Sequence, residues 1–393
     1  MRNNFIFTEF NRLLINDMII YLIPLIGITS WQFSDSKIVF LTSTYSIGFI
    51  IFSKFSGYLI DKFSSVTVPI FTYLVYIMFN LIFIFTLLRN MNDFTIIFII
   101  IVVRSLSSSV LEINTSVFIP DYFYEDLTSI NSLVQLVRSV VNFISPIITF
   151  TLTNSITVAM FILLILQILN LLIYTYKLRK LEVNSYKKDV NQNSKNINLN
   201  SLKYILKNRK LIFIIIVTMG INFSMTILTN TMVLYLVRYL ELSNKLAGII
   251  IGLLSFGAIV GSVLPNIMIK KFSFEKSIGV VNLILSIPFL LLISKSYLFF
   301  LGVFLGYLCR SFGSVLRTTV QYEIVPENIR GKVNATIYLF TWGTIPIAGY
   351  SASILLEVIS LHTLYVIIAL IFILANGLFL FSYNENSHLR RNV

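Results

Sequence analysis

Apolar residues dominate this chain in long, nearly unbroken runs rather than in the alternating or three-four patterns of a soluble fold. Runs of spanning length fall near 11–33, 38–60, 66–88, 94–119, 128–153 and 155–176. After a polar interval they resume near 211–237, 246–269, 277–294, 297–322, 333–356 and 361–383. A helix crossing the hydrocarbon needs about 20 such residues. The runs are rich in Ile, Leu and Phe and lack strict alternation, so they predict twelve membrane-spanning helices and not barrel strands. The first run lacks a small-residue cleavage site after it, so it reads as a retained span.

The polar interval divides six spans from six. It is Asn-rich and basic, and predicts three segments: an N-terminal bundle (1–180), a basic cytoplasmic hinge (181–205) and a C-terminal bundle (206–393). Of the 30 Lys and Arg residues, 21 fall on the side that holds both termini and the hinge, five on the other side and four within spans. Basic loops stay in the cytoplasm, so both termini are expected inside a plasma membrane. This distribution accounts for the formal net charge of +13 without a nucleic-acid partner.

Composition narrows the chemistry. Hydrophobic residues make up 56% and charged residues 12% of the 393, about half the charge of an ordinary soluble domain. Cys309 is the single cysteine and His362 and His388 the two histidines. They exclude an internal disulfide and give no metal-ligating cluster. No phosphate-binding loop is present, nor a nucleophile with a base or a pair of catalytic carboxylates. Neither an enzyme nor a cofactor is expected.

The two halves read as repeats. Asn16 and Asn222, Arg104 and Arg310, and Pro120 and Pro326 are each separated by 206 residues. Six spans per half is an even number, so both repeats enter from the same side. Parallel six-helix repeats enclose a binding site near the midplane.

Several local motifs carry a family resemblance. They are Asn16-Asp17 in the first span, GYLIDKF (Gly57 to Phe63) at the inner end of the second, and Arg104-Ser105 in the fourth. Pro326 to Lys332 (PENIRGK) and Gly343-x-x-Pro346-x-x-Gly349 continue the series. Over its whole length the chain resembles the major facilitator superfamily, and more narrowly its macrolide-efflux and siderophore-exporter branch. The resemblance implies two six-helix bundles and export of a small molecule by alternating access. It also implies an inner latch of Gly57, Asp61 and Lys62, although Ser64, Ser65 and Val66 replace a glycine and two basic residues of the family pattern. The drug-antiporter motif of the fifth span is reduced to Ser145-Pro146.

Charged residues inside spans are functional candidates, because each costs about 2.5–3.5 kcal/mol at a helix centre. Asp17, Arg104, Glu112, Arg138, Arg310 and Arg317 are the six. Asn131, Gln135, Arg138 and Asn142 lie on one stripe of the fifth span, and Arg310, Ser314, Arg317 and Gln321 repeat its offsets in the tenth. Such stripes face a water-filled cavity or another polar helix, and with Asn16, Arg104 and Asn222 they are the expected cavity lining. Asp17, Glu112 and Arg138 are expected to form a charge cluster in the inner half of the first bundle. A carboxylate that gains and loses its arginine as the halves rock takes up and releases a proton.

The expected protein is thus an all-α, twelve-span secondary transporter. It acts as a monomer in the lipid bilayer and exports a small amphipathic compound (drug, macrolide-like or siderophore-like) in exchange for protons. The alternatives are a metabolite importer or facilitator, and a non-transporting sensor or accessory protein on the same fold.

Overall fold

A computed structural model describes residues 2–123, 127–178, 199–269, 276–294 and 297–384. Thirteen α-helices are present among them, in the order α1 (Arg2–Thr29), α2 (Asp35–Phe63), α3 (Thr67–Leu88), α4 (Phe94–Tyr122), α5 (Leu127–Thr151), α6 (Ile156–Ile173) and α7 (Leu199–Lys207). They continue as α8 (Arg209–Leu234), α9 (Asn244–Ile269), α10 (Lys276–Ser286), α11 (Leu298–Ile324), α12 (Glu327–Leu355) and α13 (Leu361–Asn384). Nine of the described helical stretches are long and apolar enough to cross a membrane by themselves. The fold is that of an all-α, multi-pass membrane protein. The nine-residue α7 is too short to span; most of the expected hinge, up to residue 198, lies outside the described residues.

Helix α10 departs from regular α geometry where the sequence gives a reason. Pro288 cannot continue the α10 hydrogen-bond ladder, and the chain tightens there into a 3₁₀ segment, Ile287–Ile293. Pro24, Pro146, Pro265 and Pro346 lie inside α1, α5, α9 and α12. Helices α6 and α8 end in single π turns, Tyr174–Leu178 and Tyr235–Tyr239.

The chain divides into two compact units. One holds residues 1–189 together with 232–252, and the other holds 190–231 with 253–393. In the first unit α2 packs on α4, α1 on α5 and α3 on α6. The α2–α4 contact is close enough for the Gly48 amide to donate to Ser105 Oγ at 2.8 Å, while that hydroxyl donates to the Tyr45 carbonyl, also at 2.8 Å. A Cβ on Gly48 would lie 2.6 Å from the Ser105 backbone, so only glycine admits this approach. Gly248 and Gly252 do the same against α5, facing the carbonyls of Pro146 and Phe143.

The second unit repeats the scheme. Helices α9 and α11 meet through Gly257 and Gly261, whose absent Cβ atoms would lie 2.4 and 2.2 Å from the carbonyl oxygens of Phe304 and Leu308. Helix α10 packs on α13, and α8 reaches α12 through the Asn222 amide, which donates to the Thr341 carbonyl at 2.9 Å. The 206-residue offset extends to buried positions. Asn170 and Asn376 are both fully enclosed, and so are the aromatic pair Phe83 and Phe289. Without water between lipid-facing helices, close backbone approach and buried amides do the work that hydrophobic burial does in soluble folds.

Candidate functional site

The N-terminal end of the first span carries charge that hydropathy alone places in a loop. Helix α1 starts at Arg2, nine residues before the apolar run, and Glu9 and Arg12 are 1% and 2% exposed. Arg12 donates through Nη2 and Nε to Glu9, at 2.7 and 3.1 Å, and through Nη1 to Glu112 on α4 at 2.5 Å. Glu112 in turn accepts from Arg138 Nη2 on α5 at 2.8 Å. Thr115 closes the far end by donating to Glu9 Oε1 at 2.8 Å. The result is an alternating ladder, Glu9–Arg12–Glu112–Arg138, joining three helices. Its charges sum to zero, which is what allows α1 to carry them into the bundle.

Depth explains the membership. Arg12 lies ten residues from the start of α1, Glu112 ten from the end of α4 and Arg138 eleven from the start of α5. At 1.5 Å per residue all three sit about 15 Å in. Asp17 lies five residues farther along α1, roughly 8 Å deeper. It accepts a hydrogen bond from Ser145 Oγ at 3.3 Å and is in no ion pair among the described residues. The structure therefore brings Glu112 and Arg138 into direct contact, while Asp17 stands within electrostatic range of Arg138, Arg12 and Glu112 without an ion pair to either arginine among the described residues.

The ladder runs from interior to surface. Glu9 and Arg12 are closed off, whereas the side chains of Glu112 and Arg138 are 25% and 34% exposed. Gln135 and Asn142 on α5 are exposed beside them. The side chain of Asn131, together with Gly57, Asp61 and Lys62, falls outside the residues described in atomic detail.

Behind the ladder, buried amides tie α1 to α3 and α6. Asn170 accepts from Asn11 Nδ2 at 3.0 Å, and its own amide donates to the Thr8 carbonyl at 3.1 Å and the Tyr73 hydroxyl at 2.9 Å. Above it, Asn16 Oδ1 accepts from the Tyr45 hydroxyl at 3.0 Å, and Tyr45 shares a bond with Tyr76 at 3.0 Å. Arg104 is 1% exposed beneath these tyrosines. Its Nη1 donates to Asn80 Oδ1 at 2.7 Å, and its guanidinium lies over the Tyr76 and Phe83 rings at 5.2 and 5.6 Å. The aromatic faces supply the negative potential a carboxylate otherwise would, while Nε and Nη2 have no hydrogen-bond partner among the described residues.

In the second unit Arg310 is half-buried, Ser314 is exposed, and Arg317 and Gln321 are buried. Gln321 donates to Asn334 Oδ1 at 2.7 Å, and Arg317 Nη1 is enclosed without a hydrogen-bond partner among the described residues. Cys309 is buried, its thiol 3.4 Å from the Asn282 carbonyl. Among the described residues no cluster of His, Cys, Asp and Glu could hold a metal ion.

Sequence reasoning missed Glu9 and Arg12. Their i, i+3 spacing is a signal for an internal pair, but the partner that justifies burying them lies 100 residues away on α4.

A two-unit helical bundle with paired charges inside it defines a class, and the sequence comparison names it. Residues 5–243 and 216–392 match the Major Facilitator Superfamily, and the chain belongs to that family. Among solved structures, the nucleoside transporter NupG is similar at a TM-score of 0.74 and 14% identity, covering 98% of this chain and 99% of that one. A bacterial homologue of the iron transporter ferroportin gives 0.74 and 14%, covering 98% of each chain. A D-xylose–proton symporter gives 0.69 and 15%, covering 98% of this chain and 97% of that one. No curated protein sequence is significantly similar. The chain thus has the fold of the superfamily's transporters.

Proposed function

We propose that the protein is a monomeric, proton-coupled exporter of a small amphipathic compound in the cell membrane, with both termini cytoplasmic. It works by alternating access between its N-terminal (1–180) and C-terminal (206–393) halves. The observation that carries the coupling is the unequal treatment of the buried acids in the first unit. Glu9 and Glu112 are held by Arg12 and Arg138, and changing their charge means breaking the ladder. Among the described residues Asp17 takes a hydroxyl alone, from Ser145, so it can gain and lose a proton without breaking an ion pair. It also lies deepest of the three acids along its helix, where a proton taken from one side can be handed to the other.

Glu112 and Arg138 then form the partly exposed end of the ladder, which a bound compound meets first. The drug, macrolide-like or siderophore-like cargo rests on the family branch that the sequence motifs resemble. The expectation is tested in everted vesicles energised by respiration, using compounds to which a deletion strain is hypersensitive. Exchange of protons for such a compound dequenches a pH-sensitive dye and accumulates the compound in the lumen. Accumulation that survives an uncoupler would refute proton coupling, and substrate release in place of accumulation would refute export.

A further inference from the structure

The charge balance of the two units is unequal. In α1, α4 and α5, away from the terminal residues Arg2 and Asp121, the acids Glu9, Asp17 and Glu112 equal the arginines Arg12, Arg104 and Arg138 in number. Helix α11 of the second unit carries Arg310 and Arg317, yet the sequence places no Asp or Glu between Lys276 and Tyr322, in residues 328–356, or in residues 358–384. Glu323 lies six positions beyond Arg317, about 120° away around the same helix. Helix α11 thus carries two embedded arginines for which its own unit offers no counter-charge inside the membrane.

The local geometry divides the two arginines. Arg317 is 4% exposed, with Nη1 enclosed and without a hydrogen-bond partner among the described residues. The absent side chain of Gly313 makes room for it, since a Cβ there would lie 2.7 Å from Nη1 and 2.8 Å from Asn282 Oδ1. Arg310 lies two turns farther out, twelve residues into α11 and so near mid-membrane, half-buried and beside Tyr307. Ser314, one turn from each, is exposed. Burying cations without counter-ions is costly unless another partner arrives. A guanidinium has the planar donor fork that binds carboxylate and phosphate oxygens in pairs.

We propose that Arg310 and Ser314 receive an anionic oxygen-bearing group of the transported compound, with Arg317 supplying the positive field behind them. The cargo is thereby an amphipathic organic anion, not a lipophilic cation. This rests on the reading of the chain as a small-molecule transporter, and it needs neither a direction of transport nor a proton.

The test is an equilibrium one, made on the full chain in nanodiscs of neutral phosphatidylcholine. Thermal midpoints are measured with benzoate, salicylate and indole-3-acetate, each against its neutral amide. The expected result is stabilisation by at least one acid and not by its amide. Arg310→Gln should weaken that binding about tenfold or more, while Arg310→Lys retains part of it. Without ligand, Arg310→Gln should melt no lower than the wild type, because it removes an uncompensated charge. Equal responses of wild type and Arg310→Gln to every acid would overturn the proposal, whether those responses are large or nil. Stabilisation by the amides as strong as by the acids would also overturn it. So would stabilisation confined to discs containing phosphatidylglycerol, which would assign the arginines to a lipid phosphate. Because no gradient is present, failure here is distinct from failure of proton-driven export.

Discussion

Replacing Arg12 by methionine should be among the most damaging single changes in the first unit. The substitution keeps the apolar stem and removes four charge-assisted contacts, three to Glu9 at 2.7–3.1 Å and one to Glu112 at 2.5 Å. Glu112 retains Arg138. Glu9, at 1% exposure, retains the Thr115 hydroxyl alone among the described residues. Stranding one member of a buried ion pair costs about 3–5 kcal/mol, mostly as uncompensated charge. Neutralising the stranded acid should return most of that. The double variant Arg12→Met, Glu9→Gln should lie within about 1–2 kcal/mol of the wild type, giving a strongly non-additive cycle. Trp31 is a built-in reporter, buried in the first unit against Phe33 and Phe83 at 5.5 and 5.8 Å. Its fluorescence in a Trp342→Phe background follows unfolding by SDS in mixed micelles. Additive losses, or a single-variant loss below about 1 kcal/mol, would mean that the ladder does not hold the bundle together.

Three further outcomes follow from particular contacts. Gly261→Ala should destabilise the second unit by about 1–3 kcal/mol, because its Cβ would meet the Leu308 carbonyl at 2.2 Å, whereas Gly343→Ala, with nothing within 4 Å, should be neutral or slightly stabilising; both are read from SDS midpoints. Asn170→Leu should cost roughly 2–4 kcal/mol in the same assay, since it strands Asn11, Tyr73 and the Thr8 carbonyl in a fully enclosed site. Single cysteines placed between Lys177 and Lys210 of a Cys309→Ser chain should resist membrane-impermeant thiol reagents in intact cells and react in everted vesicles; rapid labelling of intact cells would invert the topology.

The spans were legible because the property that makes them is local. A run such as Thr67–Leu88 needs no partner to declare itself a membrane helix. The Glu112–Arg138 pairing was also within reach, since each residue is conspicuous in an apolar run and both lie at one depth. Arg12 was not, because a charged residue at the margin of an apolar run reads as loop until its counter-ions are known, and Glu112 is contributed by another helix. The enclosure of Arg104 was hidden for a related reason. Nothing in sequence spacing says that Tyr76 and Phe83, from α3, present their ring faces to it. The switch of α10 to 3₁₀ geometry at Pro288, by contrast, follows from one residue and could be expected from it.

The central claim is that Asp17 carries the proton while the ladder beside it stays paired. Asp17→Asn is close in shape and can still meet the Ser145 hydroxyl, so it removes the charge and the titration with little change in packing. Its effect is measured on purified protein in proteoliposomes, as uphill accumulation of the transported compound under an imposed pH gradient and as downhill exchange without one. The account predicts that Asp17→Asn abolishes accumulation and leaves exchange largely intact. Full gradient-driven accumulation by Asp17→Asn and by the double variant Asp17→Asn, Glu112→Gln would contradict it and place coupling elsewhere in the protein.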